Sequence, residues 1–204
     1  MDALVSEVER LECGPAGKVV RKRMLEFKKA GEGRSNEIFR ELCFCLLTAN
    51  YNAEKAIKIQ ENVGGGFLSL PERALARKLR GEGYRFPNTR ARYIVEARKH
   101  IPILEDVLKS DSRRDYLVKN VKGLGYKEAS HFLRNIGFEN YAIIDFHIVD
   151  LLVANGLIEK PKTMSKMRYL EIEALLSRLC VKLNLSQGEL DLYLWYLETG
   201  KILK

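Results

Sequence analysis

Lys127 and Asp145, eighteen residues apart, are the side chains of this sequence best suited to chemistry. Lys127 ends the stretch Val121-Lys122-Gly123-Leu124-Gly125-Tyr126-Lys127, in which two glycines flank one apolar residue and a helical pattern starts directly behind them. The pattern predicts a hairpin between two helices, with the lysine in the first turn of the second. Glycine permits the left-handed and crowded backbone angles of such a turn. The N–H groups at a helix start can donate to a phosphate. A lysine amine is a nucleophile only when neutral, and both the positive end of a helix and a desolvated cleft favour that form. A neighbouring carboxylate would orient the amine and receive a proton. A Lys–Asp pair in a cleft therefore suits attack on an electrophilic carbon. The plainer readings are a phosphate-contacting or surface lysine at 127 and a helix N-cap at Asp145. A capping carboxylate can still face a cleft. His147, two residues on, reads as a structural residue or a phosphate contact rather than a base.

The elements that must position these residues read as helices throughout. An amphipathic run covers Pro15 to Ala30 and stops at Gly31 and Gly33. Asn36 to Asn50, with Ile38, Leu42, Phe44, Cys45, Leu46 and Leu47, predicts a largely buried helix. Helices follow over Ala53 to Val63 and from Pro71 to about Gly81. Asn88 is the expected cap of the next, through Tyr93, Ile94 and Ala97. The hairpin helices are Asp111 to Asn120 and Lys127 to Ile136, the second with Ala129, Phe132, Leu133 and Ile136 on one face. Asp145 to Ala154, Ser165 to Leu183 and a last helix opened by the Ser186/Glu189 capping box complete the set. Tyr141 to Ile144 is too short to found a sheet.

The sequence has 204 residues, 46 % of them apolar, and a net charge of +8. That length allows one sizeable core or two small subdomains, and the basic excess favours a polyanionic partner. No signal peptide or membrane-spanning run is visible, so a cytoplasmic protein is expected. Cys13, Cys43, Cys45 and Cys180 have neither zinc-pair nor iron–sulfur spacing. Cys43 and Cys45 are expected to be buried free thiols, with no metal site and no required disulfide.

The segment from Val121 to Asp150 resembles the helix-hairpin-helix DNA glycosylase superfamily. Its hairpin lysine and following aspartate correspond to Lys127 and Asp145. Leu46-Leu47-Thr48-Ala49-Asn50 is similar to the family segment whose terminal Asn or Gln enters the gap left by an extruded base, making Asn50 the match. Within the superfamily the chain most resembles the compact archaeal-type 8-oxoguanine DNA glycosylase/AP lyases. It lacks both the β-domain of the human type and the C-terminal cysteines of the endonuclease III type. The tail Trp195-Tyr196-Leu197-Glu198-Thr199-Gly200-Lys201-Ile202-Leu203-Lys204 is similar to the compact family's, in which the terminal lysine helps recognise the damaged base.

The chemistry of such a tail is consistent with that resemblance. 8-Oxoguanine carries an N7 hydrogen where guanine has an acceptor, so an acceptor placed there selects the lesion. Facing two acceptors in a dry pocket costs about 1–3 kcal/mol. Trp195 could stack on the flipped base or anchor the last helix. Phe86, in Gly83-Tyr84-Arg85-Phe86-Pro87-Asn88, could wedge into the base stack or pack in a loop.

The resemblance implies an all-α protein of two helical subdomains with a cleft between them. One subdomain would comprise roughly residues 1–50 and 155–204, the other roughly 51–154, with the hairpin at 115–136. Lys127 and Asp145 are then the catalytic residues. Trp195, Lys204 and Phe86 recognise the base, and Asn50, Gly123, Gly125 and His147 contact DNA. The expected partner is double-stranded DNA containing 8-oxoguanine, bound by a monomer without a cofactor at the nucleoid of a prokaryote. Two other readings stay open: a glycosylase/lyase for another oxidised base, and a helix-hairpin-helix DNA-binding module without catalysis.

Overall fold

The structure, a computed structural model, describes residues 2–204 and is built from helices, with no strand among the described residues. Among the described residues, no helix is long and apolar enough to cross a membrane. The chain forms two compact units. One is Ala30–Phe132; the other joins the chain up to Lys29 with Leu133–Lys204. These boundaries fall well before the expected ones near residues 50 and 154.

The reason lies in helix packing. In the unit Ala30–Phe132, α3 (Ser35–Thr48; the numbering counts α1, Asp2–Cys13, and α2, Pro15–Gly31) is buried at Ile38, Phe39 and every residue from Leu42 to Thr48. It packs against α4 (Ala53–Val63), α5 (Gly66–Ser69), α7 (Pro87–Ala97) and the 3-10 helix Arg98–Ile103, so it belongs with the central helices. A helix apolar on nearly all sides must be enclosed by several partners. Gln60 of α4 pins this packing by donating to Arg40 O at 3.0 Å and Glu41 Oε1 at 2.9 Å. The unit also contains α6 (Glu72–Gly81), paired with α7, and α8 (Leu104–Lys109) beside α9 (Arg113–Asn120).

In the other unit, α1 packs against α12 (Lys166–Leu183) and α13 (Gln187–Thr199), and α11 (Phe146–Ala154) packs on α13. Their N-termini are set by local side-chain chemistry. Ser165 accepts from Arg168 N, and Ser186 and Glu189 form the expected reciprocal capping box. A buried ion pair, Arg134 to Asp191 at 2.6 Å, adds a polar tie, and the guanidinium also lies 4.7 Å from the Phe27 ring.

Asn88 is not the expected cap. Phe86 occupies the N-cap of α7 and Pro87 the first helical position, where its fixed φ and missing N–H suit a helix start. Asn88 lies in the first turn, its Oδ1 accepting from Arg80. Cys43 and Cys45 are fully buried free thiols, as their apolar helix predicts.

Candidate active site and nucleic-acid interface

The hairpin runs from α9 through residues 121–125 into α10 (Tyr126–Asn135), which begins in the unit Ala30–Phe132 and crosses its boundary after Phe132. Lys127 is the second residue of α10, as predicted, and is partly exposed. Leu124 is buried and plugs the turn, while Gly123 and Gly125 on either side are exposed. Gly123 has φ +90, and a Cβ there would lie 2.5 Å from the Tyr93 ring and 3.3 Å from Leu46. The position therefore requires glycine on both conformational and steric grounds. The two hairpin helices are tied by Tyr126, whose hydroxyl donates to Asp115, with the Arg114 guanidinium 5.2 Å from the Tyr126 ring.

One expectation needs adjustment. The Gly125 N–H, a donor predicted to face phosphate, is engaged by the Glu128 carboxylate at 3.1 Å. A carboxylate is stabilised at a helix N-terminus by the same field that attracts a phosphate. A phosphate reaching this N–H must displace it.

Around the hairpin lie cations. Arg90, Arg92 and Lys122 place their charged groups 5.6, 5.6 and 5.8 Å from the centre of the Tyr93 ring. Arg92 and Lys122 are exposed. Phe86 is half-buried, with the exposed Arg85 guanidinium 4.9 Å from its ring centre. Asn50, at the end of α3, is exposed and has φ +57.

In the other unit, Asp145 is the N-cap of α11, its Oδ1 accepting from Ile148 N at 3.1 Å. The extended segment before it is held by α12. Tyr169, buried, donates to Ala142 O at 2.6 Å and accepts from Ile144 N at 3.2 Å. Glu173 accepts from Ala142 N at 3.0 Å. Tyr169 and Glu173 thus stand in for a neighbouring strand and fix where Asp145 emerges.

His147 and Trp195 meet edge to face at 4.8 Å, and Phe146, 68 % exposed, lies over His147 at 3.9 Å. Trp195 is half-buried, and its Nε1 is shielded from solvent without a hydrogen-bond partner among the described residues. A buried indole N–H usually has a partner, so this donor is poised for one. Lys204 ends a non-helical tail after Gly200, which closes α13 with φ +69. Asp145, His147, Trp195 and Lys204 thus belong to one unit. Lys127, Gly123, Gly125, Asn50 and Phe86 belong to the other.

From the sequence Arg90 reads, with Arg85 and Arg92, as a phosphate contact; it is instead buried and bonded to Ala49 O and the Tyr84 hydroxyl. Sequence reasoning missed the roles of Tyr169, Glu173 and Tyr93. Their partners are remote in the chain, and the apolar spacing that marks a helix does not mark a tyrosine that hydrogen-bonds to a distant carbonyl.

Comparison with known proteins places these features in one family. The family model described as 8-oxoguanine DNA glycosylase matches residues 20–185. A protein of Korarchaeum cryptofilum named 8-oxoguanine DNA glycosylase/AP lyase is 54 % identical over all of this chain and 99 % of its own length. Crystallised 8-oxoguanine glycosylase/lyase of Methanocaldococcus jannaschii, in complex with a 15mer DNA containing 8-oxoguanine, superposes with a TM-score of 0.96. It is 47 % identical and covers 99 % of this chain and 100 % of its own. The 8-oxoguanine DNA glycosylase of Thermotoga maritima gives a TM-score of 0.95 at 47 % identity, covering 100 % of this chain and 99 % of its own. With its lysine-bearing hairpin and a match running almost end to end, this chain belongs to the 8-oxoguanine DNA glycosylase family.

Proposed function

We propose that this protein removes 8-oxoguanine from duplex DNA and then cuts the strand by β-elimination. The observation that carries the reading is the similarity, over nearly the whole length of both chains, to a relative crystallised with DNA containing that lesion. The exposed glycine hairpin with Lys127 in the first turn of α10 supports it from the chain itself.

In this mechanism the neutral Lys127 amine bonds to C1′ of the sugar as the C1′–N9 bond breaks, and the base departs with the bonding pair and takes up a proton. Asp145 stabilises the cationic character that develops at the sugar and assists proton transfer. Ring opening yields a protonated Schiff base between the lysine nitrogen and C1′. Loss of a C2′ proton then expels the 3′ phosphate, which breaks the strand. Every bond change is supplied by the protein, the DNA and water. Trp195, Phe86 and Lys204 select the base, while Gly123, Gly125, Asn50 and His147 contact the duplex. A repair enzyme of this kind works on the chromosome, in the cytoplasm of a prokaryotic cell.

Borohydride trapping on an 8-oxoguanine duplex tests the reading. Wild type forms a covalent adduct and Lys127→Gln forms none; an adduct at the wild-type rate in that variant refutes the assignment. Asp145→Asn slows single-turnover base release with a much weaker effect on DNA binding, and an unchanged rate refutes its role. Deleting Lys204 damages 8-oxoguanine release more than release of an oxidised pyrimidine. Equal losses refute the tail's part in recognition.

A further inference from the structure

Among the described residues, Asn50 and Asn184 are the two non-glycine positions with positive φ. Asn184 is the left-handed cap of α12, a common way to end a helix. Asn50 is different. α3 ends at Thr48, its C-cap Ala49 is extended (φ −61, ψ 109), and the left-handed residue comes one position later, exposed.

The last carbonyls of a helix need partners from outside it. Here they find them in Tyr51, in the loop before α7 and in α7 itself. Tyr84 donates its hydroxyl to Leu47 O at 2.8 Å, and Tyr51 N donates to Thr48 O at 3.1 Å. Arg90 donates through Nη2 to Ala49 O at 3.1 Å and through Nε to the Tyr84 hydroxyl at 3.3 Å. On the far side of Asn50, Tyr51 packs on Tyr84 at 4.5 Å and donates to Gly83 O at 3.3 Å. The residues immediately before and after Asn50 are therefore both tied down, while Asn50 itself faces solvent.

This is a costly way to end a helix. Arg90 is 9 % exposed and has no carboxylate among its partners in the described residues. A buried cation without a counter-charge is expensive, whereas a single glycine closes a helix cheaply. Termination alone does not require a guanidinium. What the guanidinium adds is a fixed fork of donors that locks two groups at once, the carbonyl beside Asn50 and the hydroxyl that holds Leu47.

We propose that Arg90, acting with Tyr84, is a positioning residue that presents Asn50 to the DNA duplex in its left-handed turn. The inference rests on the reading of Asn50 as a DNA contact. Arg90 touches no reacting atom. It acts through Asn50, so its effect is confined to steps in which duplex DNA is opened.

A two-substrate double-mutant cycle tests this with the full-length protein. The first substrate is an 8-oxoguanine duplex, read as single-turnover base release. The second is a single strand carrying a preformed abasic site, read as borohydride trapping, where no duplex must be opened. Arg90→Met slows the duplex reaction about tenfold and the single-strand reaction less than about twofold, Asn50→Ala does the same, and the double variant is no slower than about twice the slower single. Arg90→Lys keeps the charge but not the fork and falls between wild type and Arg90→Met. Losses that multiply in the double variant overturn the positioning role, as do equal losses on both substrates in Arg90→Met and Arg90→Lys, or no loss in either. Wild-type protein that releases no 8-oxoguanine overturns the functional reading itself, and that result is distinct because it precedes any comparison of variants.

Discussion

Gly123→Ala probes the hairpin where the structure is least forgiving. The position has φ +90, outside the region an L-residue occupies comfortably, and that conformation costs a side-chain-bearing residue about 1–2 kcal/mol. The new Cβ would lie 2.5 and 2.9 Å from two carbons of the Tyr93 ring and 3.3 Å from Leu46 Cδ2. Forcing a methyl into packed surroundings adds about 1–3 kcal/mol. The two contributions together come to about 2–5 kcal/mol, or a fall in Tm of about 4–20 °C for a chain of this length. Thermal unfolding measures it, with Gly81→Ala as control. At Gly81 an added Cβ meets nothing within 4 Å and φ is not positive, so that variant is neutral or slightly stabilised. The steric part separates in a Tyr93→Ala background, where Gly123→Ala should cost only the conformational share of about 1–2 kcal/mol. A Tm within about 2 °C of wild type, or the same cost in both backgrounds, would refute the account of the turn.

Three further outcomes follow from the packing. Asp191→Ala leaves the Arg134 guanidinium, 3 % exposed, without its 2.6 Å carboxylate partner; unfolding should show a loss of about 3–5 kcal/mol, and a loss below about 1 kcal/mol would contradict the pair's importance. Burial holds the His100 imidazole below its ordinary pKa, with Nε2 3.2 Å from Asn120 O and Nδ1 3.3 Å from the Tyr116 hydroxyl. The neutral form is the one folding favours, so its contribution is full above the unfolded pKa of about 6.5 and is lost as pH falls below it. Wild type should lose more stability than His100→Gln between about pH 7 and pH 5, and the opposite order would reverse the sign. Cys13 is the exposed thiol, while Cys43, Cys45 and Cys180 are buried, and burial pushes Cys180 up to about 11. A thiol reagent should therefore titrate one cysteine quickly in the native protein and all four only after unfolding.

Much of the frame was legible because its signals are local. Ser165, Ser186 with Glu189, and Asp145 each bond to a backbone N–H three residues on, so a window of four residues encodes the helix start. The same holds for the hairpin, where two glycines and the helical pattern after them define the turn. Weaker signals failed. The 3-10 helix Arg98–Ile103 carries Pro102 inside it, and neither it nor α8 begins with a side-chain cap. Asn88 competed with Pro87 for the start of α7, and the proline won. The supports of the site were out of reach for another reason. Tyr169 bonds to a carbonyl 27 residues away and Arg90 to one 41 residues away. Such contacts exist only once the helices have packed, and no periodicity announces them.

In the proposed mechanism Asp145 combines a capping role with a chemical one. A carboxylate has two oxygens, and the cap uses one: Oδ1 takes the Ile148 N–H, while no hydrogen bond to Oδ2 is formed among the described residues. The cap therefore orients the group without exhausting it. Tyr169 and Glu173 fix the backbone just before it, so the free oxygen emerges from a segment anchored on both sides. This is why the asparagine substitution isolates the charge. Asparagine caps a helix about as well as aspartate, whereas alanine loses about 1 kcal/mol there. A fall in base release with unaltered Tm would thus report the missing negative charge at the sugar, while a fall shared by both would report only a frayed α11.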